Sequence, residues 1–143
     1  ESEKEIIKKH SKIIGRKSWS PVKNIISQKS FKEIQRQVGN VYLSEKMTAF
    51  LIDLVEATRK NNPSIEGNKY IKRGASVKTS VDLAIASKAK ALFEGRNHVL
   101  PEDVISIFKD VLRHRISINY KGKANGITTD RVIEEITEKI DAI

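Results

Sequence analysis

The segment EKMTAFLIDLVEATRKN, residues 45–61, sets Met47, Phe50, Leu51, Leu54 and Val55 three and four positions apart. That spacing puts all five on one stripe of an α-helix, and such a stripe is stable only when a second apolar surface covers it. Ser44 stands just ahead, where its hydroxyl accepts an unpaired first-turn amide. The same period recurs along the chain. Val22, Ile25 and Ile26 lead into Phe31, Ile34 and Val38, which predict a short helix closed by Gly39 and Asn40. A long helix is expected from about Ser76 to Phe93, with Val81, Ile85, Ala89 and Leu92 on its core side and Gly95 closing it. Pro101 opens another, with Glu102 and Asp103 at its positive end and Val104, Phe108, Val111 and Leu112 as its stripe. A final helix, about Asp130 to Ile140, carries Val132, Ile133, Ile136 and Ile140.

The remaining segments read as connections. Ile6, Ile7, Ile13 and Ile14 suit a helix or its tail, stopped by Gly15 and by Trp19, Ser20 and Pro21. Residues 61–74, NNPSIEGNKYIKRG, are expected to be a loop, and Tyr120 to Gly126 a turn. ISINY, residues 116–120, alternates weakly and is the candidate for one very short β element. Each stripe needs another to cover it, so the expected fold is all-α, a small helical bundle. A chain of 143 residues is long enough for one core and short for two.

With 27 Lys and Arg against 18 Asp and Glu, the formal charge of +9 favours anionic partners without choosing among them. The charges lie in ones and twos along helices, not in a dense basic arm. Absence of cysteine excludes disulfides, thiolate nucleophiles and Cys-ligated zinc. No apolar run approaches the roughly 18 residues of a membrane helix, and a cytoplasmic setting is the expectation. The charged start without Met suggests a fragment of a longer chain. Phe31, Phe50, Phe93 and Phe108 fall in or beside core stripes; Trp19, Tyr42, Tyr70 and Tyr120 are scattered, so no platform for stacking bases is expected.

The strongest chemical signal is KYIKRGASVKTS, residues 69–80. The first amides of the helix starting near Ser76 have no backbone partner, and with the helix dipole they suit a phosphate. Lys78 in that first turn opposes the dipole's preference for acids, a placement that an anion beside it would relieve. Lys72 and Arg73 approach from the preceding loop, and Gly74 permits a close backbone approach. The alternative is a solvent-facing Lys78 and a merely basic loop. His10, His98 and His114 lack the spacing of a helical metal site and suit capping roles. No nucleophile elbow, triad, P-loop or Walker B strand occurs, so the chain has no self-contained active site.

Four segments in order carry a resemblance: LVEATR (54–59), GASVKT (74–79), GRNHVLPEDV (95–104) and VLRHRI (111–116). Together, over roughly residues 22–140, they resemble the C-terminal lid domain of the MoxR family of AAA+ ATPases. The resemblance implies an AAA+ lid fold over 21–143, with 1–20 as the end of an upstream core or a linker. It implies that Lys78 acts as sensor 2, a catalytic contact to the terminal phosphate of ATP, with Arg73, Gly74 and Ser76 beside the nucleotide. ATP and Mg²⁺ would be held mainly by an absent core, and the chain alone would be catalytically silent. Its partners would be that core, neighbouring subunits of a hexameric ring and a client protein, with coupling of ATP hydrolysis to remodelling of the client. Nucleic acid is not implied.

Three positions depart from the family. Val77 replaces Pro, Lys78 replaces Arg and so lacks the planar fork, and Leu100 stands where a capping Thr or Ser is usual. Arg59, Arg96, His114 and Arg115 match family positions and are read as structural, in capping, salt bridges and core docking. The rival reading is a stand-alone basic helical module that binds nucleic acid or an acidic protein surface.

Overall fold

The computed structural model describes residues 4–5, 25–59 and 65–140. The helix expected over Ile6–Ile14, its stop at 15–21, and residues 61–64 of the expected loop lie outside the described residues. Glu1–Lys32 and Glu33–Ile143 form two compact units. Within the first, Phe31 is 55 % exposed, so it does not belong to a core stripe as expected.

Helix α1 spans Gln28–Asn40 and α2 spans Glu45–Ala57. The α1 stripe is amphipathic as read, yet no α1 residue is buried. In α2 all five expected residues are buried, and Ser44 Oγ accepts the Met47 amide at 3.1 Å. A 3-10 helix, Glu66–Tyr70, leads into strand β1, Ile71–Arg73. The long helix α3 is Val77–Phe93, α4 is Pro101–Leu112, β2 is Ser117–Ile118, α5 is Tyr120–Ala124 and α6 is Thr129–Lys139.

The core is built where α3 packs on α2 and α4, and α6 on α2 and α4. Phe50, Leu54, Leu83, Phe108, Leu112, Val132 and Ile136 meet there, all essentially inaccessible to solvent. The fold is a small, mostly helical bundle with one two-stranded antiparallel β element, in which Ile71 pairs with Ile118 and Arg73 with Ser117. The strand candidate in ISINY is thus present at its centre, with Ile116 and Ile118 buried and Ser117 exposed between them. No helix among the described residues is long and apolar enough to cross a membrane.

Several expectations are corrected. Residues 66–73 are not loop but a 3-10 turn and a strand. The turn survives because Glu135 of α6 accepts the Gly67 amide at 2.8 Å, a partner remote in sequence. Tyr120–Ala124 is a short helix rather than a turn, capped by Asn119, whose side chain accepts the Gly122 amide at 2.9 Å. Gly95 does close α3, with φ of +74°.

The main correction concerns the face of α3. Thr79, Leu83, Ser87 and Ala91 point inward, while Val81 and Ile85 are 53 % and 55 % exposed and Phe93 is 85 % exposed. Small residues on the inner stripe let α3 approach its neighbours closely. Ser87 remains satisfied there by donating to the Leu83 carbonyl at 2.8 Å.

Candidate functional site

The start of α3 is set by its attachment to the end of α2. Thr58, which follows α2, is buried; its hydroxyl donates to the Val55 carbonyl at 2.7 Å and accepts the Ala75 amide at 3.0 Å. One side chain therefore ties the last turn of α2 to the segment entering α3. Gly74 sits against the same turn, where a Cβ would run into the Thr58 carbonyl oxygen and lie 2.8 Å from Arg59 Cγ. The backbone that lies closest to Gly74 is that of Thr58, just after α2. Gly74→Ala is expected to lower stability by about 1–3 kcal/mol through overpacking against main-chain atoms that have no room to yield. Thermal unfolding of the variant measures this, and an unchanged Tm would contradict the contact.

Ser76 is the N-cap of α3 in extended backbone, but its side chain makes no capping bond to an amide; its Oγ lies 3.4 Å from Thr79 Oγ1. The first turn holds no acid. Lys78 reaches into solvent, 80 % exposed, with Nζ 3.3 Å from Asp82 Oδ1. The other oxygen of Asp82 accepts from Arg115 Nη1 at 2.6 Å. Arg115 first, and Lys78 second, hold the Asp82 carboxyl below the usual carboxylate range. Arg115 Nε also lies 3.2 Å from His114 Nε2.

Gly74, Ser76 and Lys78 are therefore gathered at one helix start. Arg73 precedes them at the end of β1, exposed and in none of the ion pairs among the described residues. Two residues around Lys78 escaped the sequence reading: its ion-pair partner Asp82, and Arg115, which shares Asp82 with it. Asp82 was accessible to it, since a cation and an acid four residues apart share a helix face. Arg115 was not, because it meets Asp82 only through the packing of the segment after α4 against α3.

The junction GRNHVLPEDV is held by a second constellation. Arg96 donates through both terminal nitrogens to Asp103, each at 2.6 Å, and Asp103 also accepts the Leu100 amide at 2.9 Å. Leu100 supplies no side-chain cap, as expected from its apolar side chain, so Asp103 caps from within the first turn instead. Arg96 has the structural role read for it. Among the described residues no group of three or more His, Asp or Glu gathers as a metal site.

The fold and the sequence are both shared with known proteins. The AAA lid domain family matches residues 68–136, which run from the 3-10 helix to α6. Chaperone MoxR1 of Mycobacterium tuberculosis is 31% identical over 134 residues, 90% of this chain and 35% of that protein. Protein YeaC of Bacillus subtilis, uncharacterised, is 28% identical over 116 residues, 81% of this chain and 34% of its own length. A crystal structure from Cytophaga hutchinsonii, of a protein inferred to be an ATPase, superposes with a TM-score of 0.76 at 34% identity, covering 99% of this chain and 42% of that one. The chain thus spans about a third of the length of these curated relatives. With the four linked motifs, the stitched α2–α3 junction and the shared fold in agreement, the chain is an AAA+ lid domain related to the MoxR-family ATPases.

Proposed function

We propose that this chain serves as the lid of a MoxR-type ATPase, in which Lys78 senses the terminal phosphate of ATP and couples its hydrolysis to remodelling of a partner protein. The observation that carries this reading is the first turn of α3. It is free of acids, its N-cap hydroxyl is not bonded to an amide, and it presents an exposed lysine at the position that matches the family's sensor 2. A helix start whose first turn holds no acid fits a phosphate oxyanion. The described residues do not fit the magnesium ion, whose ligands would belong to a nucleotide-binding core outside them.

ATP with Mg²⁺, when bound, supplies the phosphoryl group that passes to water. The residues of this chain contribute charge and orientation. Lys78 stabilises negative charge developing at the terminal phosphate, and Asp82 holds the lysine at the helix surface until that charge is present. Arg115 shares Asp82 and so limits how tightly the carboxylate retains Lys78. Residues 1–20 would be the end of the core or the linker into the lid. The assembled protein would work as a ring, hexameric in the family, on a client protein.

The test is Lys78→Ala in the full-length protein that includes the nucleotide-binding core. We expect kcat for ATP hydrolysis to fall about tenfold with KM changed far less, since the contact strengthens as charge develops. Lys78→Arg should retain the wild-type rate, because it keeps the charge and adds a fork. Wild-type turnover by Lys78→Ala would remove the sensor role.

A further inference from the structure

Among the described residues, three polar clasps hold the start of α3 to the rest of the fold. The Thr58 hydroxyl accepts the Ala75 amide, and β1 pairs with β2 through Ile71 with Ile118 and Arg73 with Ser117. The third is the Asp82 carboxylate, whose Oδ2 accepts from Arg115 Nη1 at 2.6 Å and whose Oδ1 lies 3.3 Å from Lys78 Nζ. The strand pair and the ion pair therefore join the same two stretches of chain, residues 71–82 and 115–118. The two cations on Asp82 are unequal. Arg115 makes the shorter contact with a side chain that is mostly covered, and its Nε lies 3.2 Å from His114 Nε2. Because Nε–H can only donate, the His114 ring offers an acceptor there and helps to aim Nη1 at Asp82. Lys78 makes the longer contact, on a flexible and largely exposed stem.

A carboxylate shared by two cations holds each less strongly than it would hold one alone, because the cations repel each other across it. We propose that Asp82 is an exchange point through which the state of Lys78 is passed to the segment after α4, an inference that rests on the sensor reading of Lys78. When Lys78 turns to a terminal phosphate, Asp82 passes wholly to Arg115, and the clasp between α3 and residues 113–118 tightens. By linkage the reverse also holds. A partner that pulls this segment away from α3 takes Arg115 off Asp82, leaves Lys78 as the sole cation on the carboxylate and draws it back from the phosphate. The ion pair is the clasp that changes, since the Thr58 bond and the strand pairing are both made without Lys78.

The experiment is hydrogen–deuterium exchange of the full-length protein that includes the nucleotide-binding core, read at residues 113–118. Without nucleotide, Lys78→Gln should slow exchange there about two- to fivefold, the range expected when a partly exposed ion pair loses its competitor. Asp82→Asn should speed it. The β,γ-imido analogue of ATP with Mg²⁺ should slow exchange in the wild type to the level of Lys78→Gln and leave Asp82→Asn unchanged. A purely structural pair between Asp82 and Arg115 would not respond to Lys78→Gln. Exchange that this variant leaves unaltered would therefore overturn the proposal while the sensor reading stands. Slowing by the analogue that persists in Asp82→Asn would overturn it too, since the coupling would then run elsewhere. A response to Lys78→Gln without nucleotide, together with wild-type turnover by Lys78→Ala, would instead remove the sensor reading and the link to ATP with it.

Discussion

Asp103→Ala is expected to destabilise the chain by about 3 kcal/mol, at the lower end of the range for breaking a buried ion pair. Asp103 is 1% exposed and carries two loads, the Arg96 guanidinium and the Leu100 amide. Its removal leaves Arg96 with its charge and no partner. Because the Arg96 side chain is 25% exposed, it can turn toward water and recover part of the loss, which is why the lower end applies. The lost cap adds to the cost. Asp103→Asn separates the two effects, since an amide oxygen still caps Leu100 but cannot hold both guanidinium nitrogens. It should therefore lose less.

Asp103 also predicts a pH dependence. Its carboxyl is held below the usual value, first by Arg96 and further by the Leu100 amide, against the opposing effect of burial. A carboxyl whose value is depressed in the folded state contributes stability that is fully present above its ordinary value near 4. That contribution is lost as pH falls through the depressed folded value. Urea unfolding of wild type and Asp103→Asn should therefore differ most near neutrality and converge below about pH 4. A difference that persists unchanged into acid would show that the ion pair is not its source.

Leu83→Ala is expected to cost about 3 kcal/mol, whereas Ile85→Ala, two residues away, should stay within about 0.5 kcal/mol. Leu83 is wholly buried among α2, α3 and α4, so truncation leaves a cavity that packed helices only partly close. Ile85 is 55% exposed and loses few contacts. Urea denaturation of both variants decides the matter. A larger loss at Ile85 than at Leu83 would mean that α3 is rotated by about half a turn from the face described.

That contrast marks the limit of what could be read from sequence. In α2 the stripe was legible because its apolar residues occupy one face and Asp53 and Glu56 another. In α4 and α6 the same held for Val104, Phe108 and Leu112 and for Val132, Ile133 and Ile136. Helix α3 has apolar or small residues on both sides, so periodicity favoured the larger side chains at 81 and 85. The packing chose the smaller ones, since close approach to α2 and α4 requires Ser87 and Ala91 at the contact.

The candidate site divides in the same way. Gly74, Ser76 and Lys78 are contiguous in sequence and were legible as a helix start that could hold an anion. Asp82 was not read from the sequence, although its helical spacing from Lys78 offered it. Arg115 reaches Asp82 from a segment 33 residues away, and the Ala75 amide meets the Thr58 hydroxyl across 17 residues. The sequence by itself determined helix type, most buried stripes, the chain's positive charge and the acid-free start of α3, because these depend on local spacing and backbone polarity. Only the tertiary structure decided which face of α3 is buried, which cation outside α3 shares Asp82 and which side chain ties the end of α2 to the start of α3, because each depends on distances between residues that the chain order does not constrain.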